Sequence, residues 1–247
     1  PFLSSFVLVA IGLYVRLKLT EAPIFIATLN KPKPKTLPMM EVIVTHFKPF
    51  FLGMLICLAG YVLFYIMIAF SQIYAKSTPT VSEAGYAMGL GFSPQIFTAL
   101  LMCSAISLAI TIAISGKYID IVGRRIWLIW TTFGVAIFGL ALPYFLDNGT
   151  TTSLFWFLMI GMGLIGMGYG PLASFLPELF PTHARYSGAS LTYNISGLFG
   201  ASVAAIITLP LNANYGLKGV GIYLTLNAVL SLIGLWFITE TKDKHLA

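Results

Sequence analysis

Charged residues are absent from seven stretches of this chain: 1–15, 49–75, 84–116, 126–146, 148–177, 186–217 and 219–239. Short polar islands rich in glycine, proline and basic residues separate them. A helix needs about 20 apolar residues to cross roughly 30 Å of hydrocarbon. Six of the seven runs are longer than that, and they predict spans over about 50–72, 93–115, 126–146, 154–176, 187–210 and 219–238. The run 1–15 is shorter and reads as the end of a helix that begins earlier. It has neither the basic leading region nor the small-residue cleavage site of a signal peptide. The expected organisation is therefore a helix end at 1–15, a basic, proline-containing linker at 16–49, a six-helix bundle at 50–238 and a tail at 239–247.

Local chemistry supports these boundaries. Lys31-Pro32-Lys33-Pro34-Lys35 interrupts any helix, because proline removes donors and holds the chain extended. Asp147, Asn148 and Gly149, with Pro143 before them, predict one tight turn, and Asn212, Asn214 and Gly216 another. Gly161, Gly163, Gly166, Gly168 and Gly170 recur at spacings that let helix backbones approach closely.

Composition removes the soluble alternatives. Of the 247 residues 58% are apolar and only 9% charged, against about 25% charged in a soluble domain. The net charge of +6 is spread over loops, which points to membrane topology and not to a nucleic-acid partner. Twelve of the fourteen Lys and Arg fall in 16–48, 117–125, 177–185 and the tail from 239, and two fall on the other side, Lys76 and Lys218. By the positive-inside rule the first group and the C-terminus are cytoplasmic. Cys57 and Cys103 sit inside apolar runs as small fillers. His46, His183 and His245 lie in loops or at interfaces, where solvation accounts for them and no metal is implied. No cofactor is implied either. Enzyme signatures such as His-Glu-x-x-His, Gly-x-Ser-x-Gly and the P-loop are absent, so no catalytic residue is expected.

Three motifs carry a family likeness. The first is the hairpin Gly116-x-x-x-Asp120-x-x-Gly123-Arg124-Arg125. The second is Tyr169-Gly170-Pro171-Leu172-Ala173 through Glu178-Leu179-Phe180-Pro181 to Arg185-Tyr186-Ser187-Gly188-Ala189-Ser190. The third is the exit Arg16-x-Lys18-Leu19-x-Glu21-x-Pro23. Together they resemble the metabolite:H⁺ symporter family of the major facilitator superfamily, which includes bacterial carriers of shikimate, 2-oxoglutarate, citrate and proline/betaine. The likeness covers nearly the whole chain and corresponds to the end of helix 6 through helix 12. It implies an all-α transmembrane fold, the C-terminal half of a twelve-helix carrier in a bacterial inner membrane. The implied partners are a small metabolite, protons, the lipid bilayer and an N-terminal six-helix half. One departure stands out: Gly200-Ala201-Ser202-Val203-Ala204 replaces the Gly-Gly pair and proline of the family's helix 11. An echo between Leu19-Thr20-Glu21-Ala22-Pro23 and Ile238-Thr239-Glu240-Thr241-Lys242 fits two six-helix halves.

The charged loop residues form the candidate cytoplasmic gate: Glu21, Gly116, Asp120, Gly123, Arg124, Arg125, Glu178, Arg185 and Glu240. Asp120 is expected to accept hydrogen bonds from an arginine or a helix N-terminus. Arg124 and Arg125 are expected to meet Glu178 and Glu240, and Arg185 to meet Glu21 or Glu178. Such pairs would latch two bundles in one state and release them in another; the competing reading is that they only set topology and helix ends. Substrate contacts are sought among buried polar or aromatic groups, with Tyr61, Tyr65, Gln95, Tyr169, Tyr193, Asn194 and Asn227 as candidates and Tyr65, Gln95 and Asn194 favoured. The spans themselves hold no Asp, Glu, His, Lys or Arg, so a proton-coupling group is expected in the other half. The function expected is proton-coupled metabolite transport. A non-transporting half is the first alternative and an integral-membrane enzyme the second.

Overall fold

The computed structural model describes residues 2–18 and 38–240. The first unit contributes helix α1 (Phe2–Lys18), on which apolar side chains such as Phe6, Val9 and Leu13 are exposed. The second unit begins with the short helix α2 (Pro38–Thr45) and continues into α3 (Phe47–Lys76) across a break at His46. Then come α4 (Pro94–Val122), α5 (Arg124–Leu146) and α6 (Thr151–Glu178).

The last helical run, Arg185–Phe237, has 53 residues, about 80 Å at 1.5 Å per residue, which is far too long for one crossing. It bends at Gly216, whose φ of 66° and ψ of −169° are closed to a residue with a Cβ. The bend separates α7 (185–215) from α8 (217–237), and side-chain register shows that the chain reverses there. Along α3, Gly53 faces Thr192 and Tyr61 faces Gly200, so α7 runs parallel to α3. In contrast, Ala59 donates to Ser231 while Gly234 packs over Leu52 and Leu55, so α8 runs antiparallel. Among the described residues five helical runs are long and apolar enough to span a membrane, and the bend divides the last of them into two helices.

Helix boundaries differ from the sequence expectation in one informative way. The charged island 116–125 is not a loop. α4 continues through Gly116, Lys117 and Asp120 to Val122, and Gly123 alone makes the reversal. Helix geometry is kept because these residues satisfy their own backbone groups wherever they lie, so leaving the hydrocarbon gives no reason to unwind. At Gly123 φ is 103°, which ends the helix. Pro143 likewise sits within the last turn of α5, where Asp147 N–H closes onto its carbonyl.

Packing follows the glycine stripe. Ser107, Thr111 and Ser115 on α4 face Gly163, Gly166 and Gly170 on α6, and the approach leaves no room for a Cβ at Gly166. Ser107 and Ser115 bond across this seam to the carbonyls of Met159 and Gly166. Elsewhere the core is a continuous apolar cluster that includes Val62, Leu63, Phe70, Phe97, Phe157 and Leu224. By contrast Met102, Ile106, Ile110 and Ile114, one row of α4, remain exposed. An apolar row of this kind is stable only against lipid or another protein surface. At the end of the bundle that holds Gly216, the segment 77–93 folds back on α3, with Leu90 and Phe92 donating to the carbonyls of Tyr74 and Ala75.

Candidate gate and central cavity

At the opposite end, the turn at Gly123 exposes the first backbone N–H groups of α5. Glu240 accepts from Arg124 N–H at 3.1 Å and from Arg125 N–H at 3.1 and 3.3 Å. A carboxylate here satisfies donors that have no partner within the helix and lies at the positive end of the helix dipole. Arg125 returns the contact. Its Nε donates to the Leu235 carbonyl at 2.8 Å and its guanidinium also reaches the Trp236 carbonyl at 3.1 Å. These are carbonyls at the C-terminus of α8, where positive charge is favoured. Each helix end is thus capped by a side chain attached to the other.

Arg124 turns the other way and forms an ion pair with Glu178, the last residue of α6. Both side chains are mostly enclosed, 18% and 16% exposed, whereas Asp120, 3.8 Å from Arg124, is 73% exposed. The structure therefore brings Asp120, Gly123, Arg124, Arg125, Glu178 and Glu240 together. Gly116 lies about one turn before Asp120, inside α4, with open space around its Cβ position. Among the described residues Arg185 makes no ion pair, because Glu178 is taken up by Arg124; its Nε is buried at the start of α7. Glu21, the other expected partner, lies outside the described residues.

A partly open cavity of about 250 Å³ lies among α3, α4, α5, α6 and α7, with Phe64 and Tyr169 exposed along it. Its lining is largely apolar, with polar groups from Tyr61, Tyr169, Tyr193, Thr131 and Thr132 and the thiol of Cys57. Tyr61 and Tyr193 pack with ring centroids 5.1 Å apart. Small residues make this possible, since Tyr61 rests against Gly197 and Gly200 of α7. Both helices carry a wide π-type turn nearby, Ile66–Phe70 in α3 and Leu198–Ser202 in α7. The second covers Gly200-Ala201, where the family resemblance led us to expect a glycine pair.

Tyr65, Gln95 and Asn194 lie outside this lining. Tyr65 packs against the main core, Gln95 is exposed in the first turn of α4, and the amide of Asn194 bonds to the carbonyl of Ser190 on its own helix. Tyr61, Tyr169 and Tyr193, candidates in the wider set read from the sequence but not the favoured ones, line the cavity.

The polar loop ends hold one further group. His183, on the turn between α6 and α7, contacts Glu41 of α2 at 2.8 Å, with the ring of His46 beside it.

A bundle of long apolar helices with capped, charge-paired ends defines a multi-pass membrane protein. Residues 86–247 match the sugar (and other) transporter family, and the chain belongs to that family of metabolite transporters in the major facilitator superfamily. It is 88% identical over 247 residues to a Haemophilus influenzae protein whose description assigns it provisionally to metabolite transport, covering all of this chain and 55% of that protein. It is 39% identical to the inner membrane metabolite transport protein YhjE of Escherichia coli, covering all of this chain and 54% of that one. An ectoine/proline transporter of Corynebacterium glutamicum is 28% identical over 260 residues, with 49% of its length covered. The chain spans about half the length of the curated relatives it matches. No solved structure matches it. The family is one of transporters and not of enzymes.

Proposed function

We propose that this chain supplies one half of a secondary carrier that moves a small metabolite, an organic acid or a zwitterion, across a bacterial inner membrane by proton symport. The central cavity carries this reading. A mostly apolar chamber with a few convergent hydroxyls is the usual form of a small-ligand site. The tyrosine hydroxyls of Tyr61, Tyr169 and Tyr193 each donate and accept, which suits a carboxylate with or without a nearby ammonium group.

The remaining parts of the reading follow from charge. No span contains Asp, Glu, His, Lys or Arg between its interfacial ends, so proton binding and recognition of ligand charge are assigned to an N-terminal six-helix half. Residues 16–49 would link that half to the bundle 50–238, and the tail 239–247 would face the cytoplasm with the basic loops. The cluster of Asp120, Arg124, Arg125, Glu178 and Glu240 would then be a cytoplasmic gate, holding α5, α6 and α8 together in one state.

The test is uptake by the full-length carrier in proteoliposomes, with an imposed proton gradient and a panel of organic acids, proline and betaine. Uptake of at least one compound, driven by an inward proton gradient and abolished by a protonophore, is expected. Uptake that ignores the gradient, or no uptake across the panel, overturns proton symport of this substrate class.

A further inference from the structure

Three residues from two segments distant in sequence meet at the gate end of the bundle. Glu41 lies on α2, His46 at the break between α2 and α3, and His183 on the turn that joins α6 to α7. Each offers one ligand atom, and these atoms lie within 4.8 Å of one another. His183 Nε2 stands 2.8 Å from a Glu41 carboxylate oxygen. The His46 and His183 rings are 6.4 Å apart between centroids and tilted by 58°. A tetrahedral zinc ion with bonds near 2.0 Å holds its ligands about 3.3 Å apart, so modest side-chain rotation closes the set.

The backbone under these groups is already held. Val42, one residue from Glu41, is buried against Phe180 and Ala184, which flank His183 in sequence. His46 N–H closes onto the Val42 carbonyl at 3.1 Å, and the Ala184 N–H onto that of Pro181 at 3.0 Å. The ligands therefore project from two segments fixed together by an apolar contact, while His183 itself remains 54% exposed. A pair of Glu41 and His183 alone would explain their hydrogen bond. It leaves the second imidazole unexplained, because the His46 side chain caps no helix N–H.

We propose that Glu41, His46 and His183 form a binding site for one divalent transition-metal ion of the zinc class. Two imidazoles with one carboxylate favour zinc, nickel or copper over magnesium and calcium, which prefer oxygen ligands alone. Three protein ligands leave one position open to water on the exposed side. The bound ion would tie α2 to the turn before α7, and so couple the start of α3 to α7, the helices that carry Tyr61 and Tyr193. This site stands on its own geometry and does not depend on the transport reading.

The experiment uses the full-length carrier without a histidine tag, stripped with chelator in detergent and titrated with zinc by calorimetry. Cobalt absorption in the visible reports coordination geometry. His183→Gln keeps a donor for Glu41 but is a poor ligand, and His46→Ala leaves the Glu41 contact untouched. Expected are one zinc per chain at micromolar affinity or tighter, and a loss of more than about tenfold in either variant, since even outer-shell partners are worth about that much. The melting temperature should rise with zinc in the native chain but not in the double variant, and metal-free melting shows that each variant folds. Absence of saturable binding overturns the proposal, as does binding unchanged in the double variant, which would place the ion elsewhere.

Discussion

Arg125 and Glu240 exchange helix caps. The Glu240 carboxylate accepts from the Arg124 and Arg125 backbone N–H groups at the start of α5, and the Arg125 guanidinium donates to the Leu235 and Trp236 carbonyls at the end of α8. Glu240→Gln keeps an acceptor but removes the charge that the helix dipole favours, and is expected to cost about 0.5–1 kcal/mol. Glu240→Ala also removes the cap and should cost about 1–2 kcal/mol. Thermal unfolding of the full-length chain in detergent measures both.

The Arg124–Glu178 pair is mostly enclosed, so deleting either partner strands the other's charge. Arg124→Gln and Glu178→Gln should each destabilise by about 3–5 kcal/mol, with the double variant less destabilised than the sum. Asp120→Asn touches an exposed carboxylate 3.8 Å away and should change stability by under about 1 kcal/mol. A change in transport or in inward/outward accessibility of Asp120→Asn would therefore report gating. Unchanged values for both would remove Asp120 from the gate.

Two glycines of one motif separate cleanly. Gly123 has φ of 103° and a Cβ there would stand 2.9 Å from Glu240, so Gly123→Ala should cost about 1–3 kcal/mol. Gly116 is helical with nothing within 4 Å of its Cβ position, so Gly116→Ala should stabilise by up to about 1 kcal/mol. Equal losses at both positions would contradict the one-residue reversal.

For the cavity, Tyr61→Phe, Tyr169→Phe and Tyr193→Phe remove hydroxyls without opening space. Each should weaken substrate binding by about 1–3 kcal/mol if its hydroxyl contacts the ligand. Alanine at Tyr65, Gln95 and Asn194, which lie outside the lining, should leave substrate affinity unchanged. Equilibrium binding to the full-length carrier decides between the two sets.

Asp147, in the turn between α5 and α6, has its carboxyl pushed above the usual range by burial, and Lys218 offsets this in part. A raised folded value means that the folded state holds its proton longer, so stability falls as pH rises from the unfolded value near 3.8 through the folded one. Asp147→Asn should therefore stabilise the chain at neutral pH, with the gain fading as pH drops toward about 4. Melting curves across that range check the sign.

Much of the architecture was legible before any coordinates. The apolar runs marked the long helices of the described residues, and the glycines of α6 announced a close helix contact, because both signals are local and lipid leaves helices few alternatives. The end of α4 was less legible. A charged segment looks like a loop in sequence, but only Gly123 had the geometry to break the helix.

What the sequence determined by itself was an all-helical membrane protein with basic loops and the family to which it belongs, since hydrocarbon length and the placement of charge are written residue by residue. Only the tertiary structure decided which faces meet. These helices are apolar nearly all round, so periodicity does not separate a lipid face from a packed one. The partners that matter are also remote: Glu240 and Arg125 are 115 residues apart, and Glu41 and His183 are 142 apart. Both meetings depend on how the helices rotate and pack, and that of Arg125 with Glu240 also on the reversal at Gly216, which are properties of the packed bundle and not of any one stretch of chain.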